Sequence, residues 1–220
     1  MQPRTGLIDH PETPAEELAS TITHGIGAAA AVAGLVVLVA LAAGSGDAMR
    51  VVTLSVFGAT LFACYLASTL YHALPAGRWK HRALLCDYAS IYLLIAGTYT
   101  PVLLVQLGGP WGWSLFGVVW TLAVVGIVLK TRCVDRFRTV STLLYVAMGW
   151  IILVAAKPAV EALAGGALAW LVAGGVAYTA GVAFFLWQRL PFNHAIWHLF
   201  VIAGSACHFC LMLFHVAPVR

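Results

Sequence analysis

The chain has 220 residues, of which 62% are hydrophobic and only 9% are charged, and its formal net charge is +4. Soluble globular domains carry roughly 25% charged residues, so this composition excludes a soluble protein and indicates an integral membrane protein. The basic residues lie in short polar segments and form no stripe along one helix. We therefore expect membrane lipids as partners and no role in binding nucleic acid.

Seven long apolar segments follow one another, and the short segments between them hold most of the Lys, Arg, Pro and acidic residues. A helix of about 20 residues crosses roughly 30 Å of hydrocarbon, and these runs are continuously apolar where barrel strands would alternate. The sequence predicts an all-α bundle of seven transmembrane helices, one domain over 23–217, after an N-terminal segment over 1–22. The predicted spans are 23–43, 51–73, 83–107, 111–129, 140–156, 163–187 and 192–217.

The distribution of basic residues predicts how the bundle is oriented. Nine Lys and Arg residues lie on the side of the N-terminus and three on the other side, which places the N-terminus in the cytoplasm and the C-terminus outside. The segment before the first span is acidic, unlike the basic start of a cleaved signal, so we expect it to be retained. The predicted location is the cell membrane, in a bacterium the inner membrane. The nine are Arg4, Arg78, Lys80, Arg82, Lys130, Arg132, Arg136, Arg138 and Arg189, and the three are Arg50, Lys157 and Arg220.

Three histidines and one carboxylate fall at the same predicted depth. His72 ends the second span, while His194 and His198 begin the seventh, one helical turn apart. Asp87, the only carboxylate within a predicted apolar span, lies near the start of the third. Because Leu74-Pro75-Ala76-Gly77 is a turn signal, spans two and three should form a tight hairpin that sets His72 beside Asp87. The sequence therefore predicts a metal site at the cytoplasmic end of the bundle.

Zinc suits this set of side chains. Neutral imidazole is a good zinc ligand, and a catalytic zinc takes three protein ligands and keeps one position for water. Ala195 stands where the H-E-x-x-H metalloproteases carry their glutamate, so the general base must come from elsewhere, and Asp87 is the candidate. Ser68, one turn before His72, is placed to orient the water or to donate to an oxyanion.

The remaining histidines and the cysteines are assigned no chemistry. His208 lies ten residues beyond His198, about 15 Å along a helix, and is expected to be a buried hydrogen-bonding group. His24 has the right depth but no spaced partner, which favours a supporting or structural role. Five cysteines, mostly within spans, argue against a disulfide framework, and Cys207 and Cys210 are interpreted as packing residues. Residues expected at the surface are His10, His81 and His215.

Several motifs together resemble the haemolysin III proteins, the bacterial branch of the progestin and adiponectin receptor family, which is similar to the alkaline ceramidases. The likeness covers essentially the whole chain, although Ser20 stands where the N-terminal motif of the family has Asn. The motifs are Glu17-x-x-Ser20-x-x-Thr23-His24-Gly25, Ser68-Thr-Leu-Tyr-His72, Asp87-Tyr-Ala-Ser-Ile-Tyr92, Ile95-Ala-Gly-Thr-Tyr-Thr-Pro101 and His194-Ala-Ile-Trp-His198, followed by His208-Phe209.

The resemblance implies a seven-helix fold with a zinc ion bound by His72, His194 and His198, and with Ser68 and Asp87 holding the zinc-bound water. It also implies hydrolysis of a lipid amide. Two alternatives stay open: a receptor or pore-like lytic protein with a structural zinc, and a membrane protein that binds b-type haem. Because a structural zinc normally has four protein ligands, three histidines plus a free carboxylate favour the enzyme.

Overall fold

The computed structural model describes residues 12–132 and 138–218, and within these ranges it contains helices and turns but no strand. Within the described residues, seven helices are long and apolar enough to cross a membrane, which confirms the predicted all-α fold of seven spans. The predictions for His10, Arg4, Arg136 and Arg220 concern residues outside the described ranges. The seven spans are α1 (Pro14–Gly44), α2 (Ala48–Ala73), α3 (Arg78–Leu107), α4 (Gly109–Arg132), α5 (Ser141–Ala162), α6 (Gly165–Leu186) and α7 (Asn193–Val216).

Helix α1 begins at Pro14, well before the predicted start of the first span at residue 23. Thr13 is the N-cap, and its hydroxyl accepts a hydrogen bond from the amide of Glu16 while the Glu16 carboxylate accepts one from the amide of Thr13. This reciprocal pair is a capping box, and proline is tolerated in the first helical turn because the amides there lack intrahelical partners. The acidic residues before the apolar run therefore belong to the helix.

The predicted hairpin of α2 and α3 is present. Helix α2 ends at Ala73 and α3 begins at Arg78, so the basic residues that were expected in a loop form the first turns of α3. After Pro101 the helix widens into a π-helical turn over Val102–Leu107. The chain then reverses through Gly108 and Gly109, both left-handed with φ of 61° and 56°, a conformation that glycine adopts without steric cost.

The fifth span is interrupted. A helix over Arg138–Gly149 is followed by a 3-10 helix over Ile151–Ala155 and a short α-helix over Ala156–Ala162. The predicted span ended at residue 156 because Lys157 and Pro158 follow. In the structure these two residues lie in the first turn of the short helix, where proline removes no intrahelical hydrogen bond.

Helix α1 packs against both α2 and α7, and further contacts join α2 to α3, α3 to α4, and α6 to α7. Large side chains from different spans fill the interior, among them Phe57, Tyr92 and Met148, which are at most 1% exposed. The start of α1, the end of α2, the start of α3 and the start of α7 consequently lie at one end of the bundle. We call it the histidine end.

At the opposite end, Arg50 joins the connection between α1 and α2 to the end of α7. Asp47 caps α2 by accepting from the amides of Met49 and Arg50, and its other oxygen pairs with Arg50 Nε at 2.9 Å. Hydrogen bonds, first of all from the amide of Arg50, hold the pKa of Asp47 below its usual value. The Arg50 guanidinium also donates to the carbonyl oxygens of Val216 and Pro218.

Candidate metal centre

The three predicted histidine ligands come together at the histidine end. His72 lies in the last turn of α2, and His194 and His198 lie in the first two turns of α7. One ring nitrogen from each lies within 4.8 Å of the other two, which is close enough for the group to hold a metal ion. His72 is 4% exposed and His198 is fully buried, whereas His194 is half-buried, so most of the group is shielded from solvent.

Hydrogen bonds fix which nitrogen of His72 carries the proton. Its Nδ1 lies 2.8 Å from Glu17 Oε2, and because a carboxylate only accepts, Nδ1–H is the donor. The other nitrogen, Nε2, is buried and has no hydrogen-bond partner among the described residues. A buried lone pair without a donor is costly, and coordination to a metal ion would satisfy it.

His198 is held in the same tautomer by a different group. Its Nδ1 lies 3.2 Å from Thr23 Oγ1, whose own proton is directed to the carbonyl oxygens of Ala19 and Ser20. Thr23 therefore accepts, His198 Nδ1–H donates, and Nε2 keeps its lone pair. Ser68 Oγ lies 3.4 Å from that Nε2 and is buried at 1% exposure.

Carboxylates of the N-terminal turn surround the outer side of the cluster. Glu12 Oε2 lies 3.5 Å from His72 Nδ1, and Glu12 Oε1 lies 3.4 Å from His194 Nδ1. Glu17 also pairs with Lys80, at 2.7 Å. The donor set of imidazoles backed by carboxylates matches the arrangement common around protein-bound zinc.

Asp87 is buried at 5% exposure on α3, and its carboxyl interacts with His72 and with the Ser68 hydroxyl. It belongs to neither group of ligand atoms within 4.8 Å found in the described part of the chain; those groups are His72–His194–His198 and Glu12–Glu17–His72. Asp87 therefore lies beside the histidine cluster rather than in it. This is the position that a proton acceptor for an attacking water requires.

An apolar cavity of about 150 Å³ opens from the cluster into the membrane-spanning part of the bundle. Asp87 and His194 line it near the histidine end, and Leu171 and His208 line it deeper. Aliphatic and aromatic side chains together form most of its wall. A cavity of this kind accepts a hydrocarbon chain rather than a polar solute.

The sequence predicts no role for Glu12 or Glu17, and only a supporting or structural one for His24. The signal for Glu17 was present: Glu17, Ser20, Thr23 and His24 are spaced three and four residues apart, so they share a face of α1. That face was missed because the predicted helix began too late. His24 is 2% exposed and its ring stacks on that of His198.

The other histidines are spread over the rest of the fold. His208 is buried as expected, and its Nε2 lies 3.3 Å from the carbonyl oxygen of Leu171, to which it donates. Gly174 of α6 leaves the room for this ring, since a Cβ there would lie 2.3 Å from His208 Nε2. His81 is exposed, and His215, expected at the surface, is half-buried. Four cysteines, Cys64, Cys86, Cys207 and Cys210, are free.

A sequence model described as haemolysin-III related matches residues 13–209. The chain belongs to the haemolysin III family. It is 50% identical to Hemolysin-3 of Bacillus cereus over 203 residues, which cover 92% of this chain and 93% of that protein. It is 43% identical to the Hemolysin-3 homolog of Bacillus subtilis over 204 residues, covering 93% and 96% of the two chains.

A more distant relative is the human monocyte to macrophage differentiation factor, a protein of the progestin and adiponectin receptor type. It is 30% identical over 206 residues, which cover 88% of this chain and 82% of the human protein. The family resemblance drawn from the motifs is thus confirmed, and so is a multi-pass membrane protein of haemolysin III type.

Proposed function

We propose that this haemolysin III protein is a zinc-dependent hydrolase that cleaves a lipid amide, with His72, His194 and His198 as the zinc ligands. The observation that carries the proposal is a buried carboxylate, Asp87, between the histidine cluster and an apolar cavity. A structural zinc would need neither the carboxylate nor the cavity. The similarity of the family to alkaline ceramidases supports the amide as the scissile group.

Zinc bound by three imidazoles would lower the pKa of a coordinated water to about 7 and polarise the substrate carbonyl. Asp87 accepts the proton of the attacking water and returns it to the leaving amine. Ser68, which reaches both His198 Nε2 and Asp87, donates a hydrogen bond to the oxyanion that develops on the carbonyl. The cavity receives the acyl chain and excludes water from the reacting bond.

A non-enzymatic receptor or pore-like lytic protein is the second candidate, because the names of the two Bacillus relatives refer to haemolysis. Haem is disfavoured by the geometry. An axial pair must lie on opposite sides of a porphyrin, whereas all three imidazoles converge on one point.

The test is lipid hydrolysis by the purified protein with Asp87 changed. We expect Asp87→Asn to keep its zinc and its fold while cleavage of lipid amides falls by about 10²–10⁴-fold, since the amide is isosteric but cannot take the proton. Ser90→Ala is the matched control, because Ser90 lies one turn away and its hydroxyl donates to the backbone carbonyl of Asp87. Wild-type rates in Asp87→Asn would refute the assigned base, and a zinc-loaded wild type that hydrolyses no lipid amide would favour the receptor.

A further inference from the structure

The candidate metal centre receives part of its support from the start of α1 and from the residues just before it. Glu17 accepts from His72 Nδ1 at 2.8 Å, and the two oxygens of Glu12 lie 3.5 Å from His72 Nδ1 and 3.4 Å from His194 Nδ1. Both histidines thus face a carboxylate on the nitrogen opposite to the one with which they would bind a metal.

Both carboxylates are held in place. The ammonium of Lys80 donates to the other oxygen of Glu17 and also to the carbonyl oxygen of Leu74, which holds the Glu17 side chain in place. Glu12 adjoins the capping box of α1, and Glu16 in that box accepts from the amide of Phe192 at 2.8 Å. Phe192 is a left-handed residue directly before α7, so the same turn that carries Glu12 contacts the start of the helix that carries His194 and His198.

We propose that Glu17 and Glu12 are positioning residues of the metal centre, which hold His72 and His194 with Nδ1 protonated and Nε2 directed to the ion. The proposal rests on the metal centre of the proposed function, not on hydrolysis. A carboxylate behind a ligating imidazole fixes its tautomer and its orientation and raises its basicity. Removing such a partner typically costs 10–100-fold in metal affinity.

These carboxylates are not a second metal site. Glu12, Glu17 and His72 do form a group within 4.8 Å, but it shares His72 with the histidine cluster. Glu17 already has Lys80 as its cationic partner, and its other oxygen accepts from His72. The charge that a second cation would supply is therefore present in the side chain of Lys80.

The test is a zinc competition titration on the full-length protein in detergent against a chromophoric chelator. We expect Glu17→Ala to weaken zinc binding by about 10–100-fold and Glu12→Ala by less, since its contacts are longer. Glu17→Gln and Glu12→Gln should fall between Ala and wild type, because the amide oxygen still accepts from Nδ1–H but carries no charge. If the Ala variants do not fold, zinc binding by the near-isosteric Gln variants provides the test.

Glu16→Gln serves as the matched control. It changes a carboxylate of the same turn that contacts Thr13 and Phe192 rather than a histidine, and Gln also completes a capping box. This variant should bind zinc about as tightly as the wild type.

Wild-type zinc affinity in all four variants of Glu17 and Glu12 would overturn the positioning role while leaving the proposed function intact. Equal losses in Glu16→Gln would also overturn it, because the effect would then belong to the fold of the turn. A wild-type chain that binds no zinc would overturn the metal centre and the proposed function together.

Discussion

The imidazole ring of His24 lies flat against the ring of His198, with centroids 3.4 Å apart and planes inclined by 12°. Neither nitrogen of His24 has a hydrogen-bond partner in the parts of the chain that the structure describes. The His24 ring therefore acts as a flat packing surface that keeps the His198 side chain in its rotamer.

This stacking predicts which substitutions of His24 are tolerated. His24→Phe should bind zinc nearly as tightly as the wild type, whereas His24→Ala should weaken binding by about threefold to tenfold, the equivalent of one aromatic contact of about 0.5–1.5 kcal/mol. Zinc titration of the two variants measures the difference. Equal, large losses in both would instead identify His24 as a ligand.

The ligand assignment predicts the metal content. Wild-type protein purified with zinc should hold about one ion per chain, and His72→Ala, His194→Ala or His198→Ala should lose it together with thermal stability, because each ligand links helices that are distant in sequence. His208→Ala is the matched control, since His208 is also buried but lies outside the cluster. Elemental analysis decides: stoichiometric metal in all three ligand variants is incompatible with the assignment.

Much of this site followed from the spacing of residues. His194 and His198 share a helix face, and the turn after His72 makes a hairpin, so their meeting with Asp87 needed only helix periodicity and the order of the spans. The partners of the imidazole Nδ1 atoms depend instead on how α1 crosses α2 and α7, which periodicity does not encode. The start of α1 was misjudged for another reason: Thr13, Pro14 and Glu16 form a capping signal, but their polarity made them look like a loop before the membrane.

The positive-inside rule predicts that the histidine end faces the cytoplasm. Ala76 and Ala48 are exposed at the two ends of α2, so cysteines there report opposite sides of the membrane. In a Cys133→Ser background, which removes a native cysteine outside the described residues, Ala48→Cys should react with an impermeant thiol reagent in intact cells. Ala76→Cys should react only after the membrane is broken. The reverse pattern would place the metal centre at the outer face.

The contacts of Arg50 predict a stability defect without a metal defect. Arg50→Met removes hydrogen bonds to the carbonyl oxygens at the end of α7 and should lower the free energy of unfolding by about 1–3 kcal/mol, with zinc content unchanged.

Asp47 predicts a dependence of stability on pH. Because the folded pKa of Asp47 is depressed, its contribution to the stability of the fold is present above the ordinary pKa of an aspartate and is lost as the pH falls through the folded value. The melting temperatures of Asp47→Asn and the wild type should therefore differ at neutral pH and converge at acidic pH.

The candidate metal centre draws on both extremes of the chain as well as on α2 and α3: Glu12, Glu17 and Thr23 lie near the beginning, and His194 and His198 lie in the last span. During synthesis, a chain with six spans inserted offers one of the three imidazoles. The histidine cluster is thus completed only when the final helix enters the bundle, so under the proposed function we expect zinc retention to mark a fully assembled molecule and to be lost in chains truncated before α7.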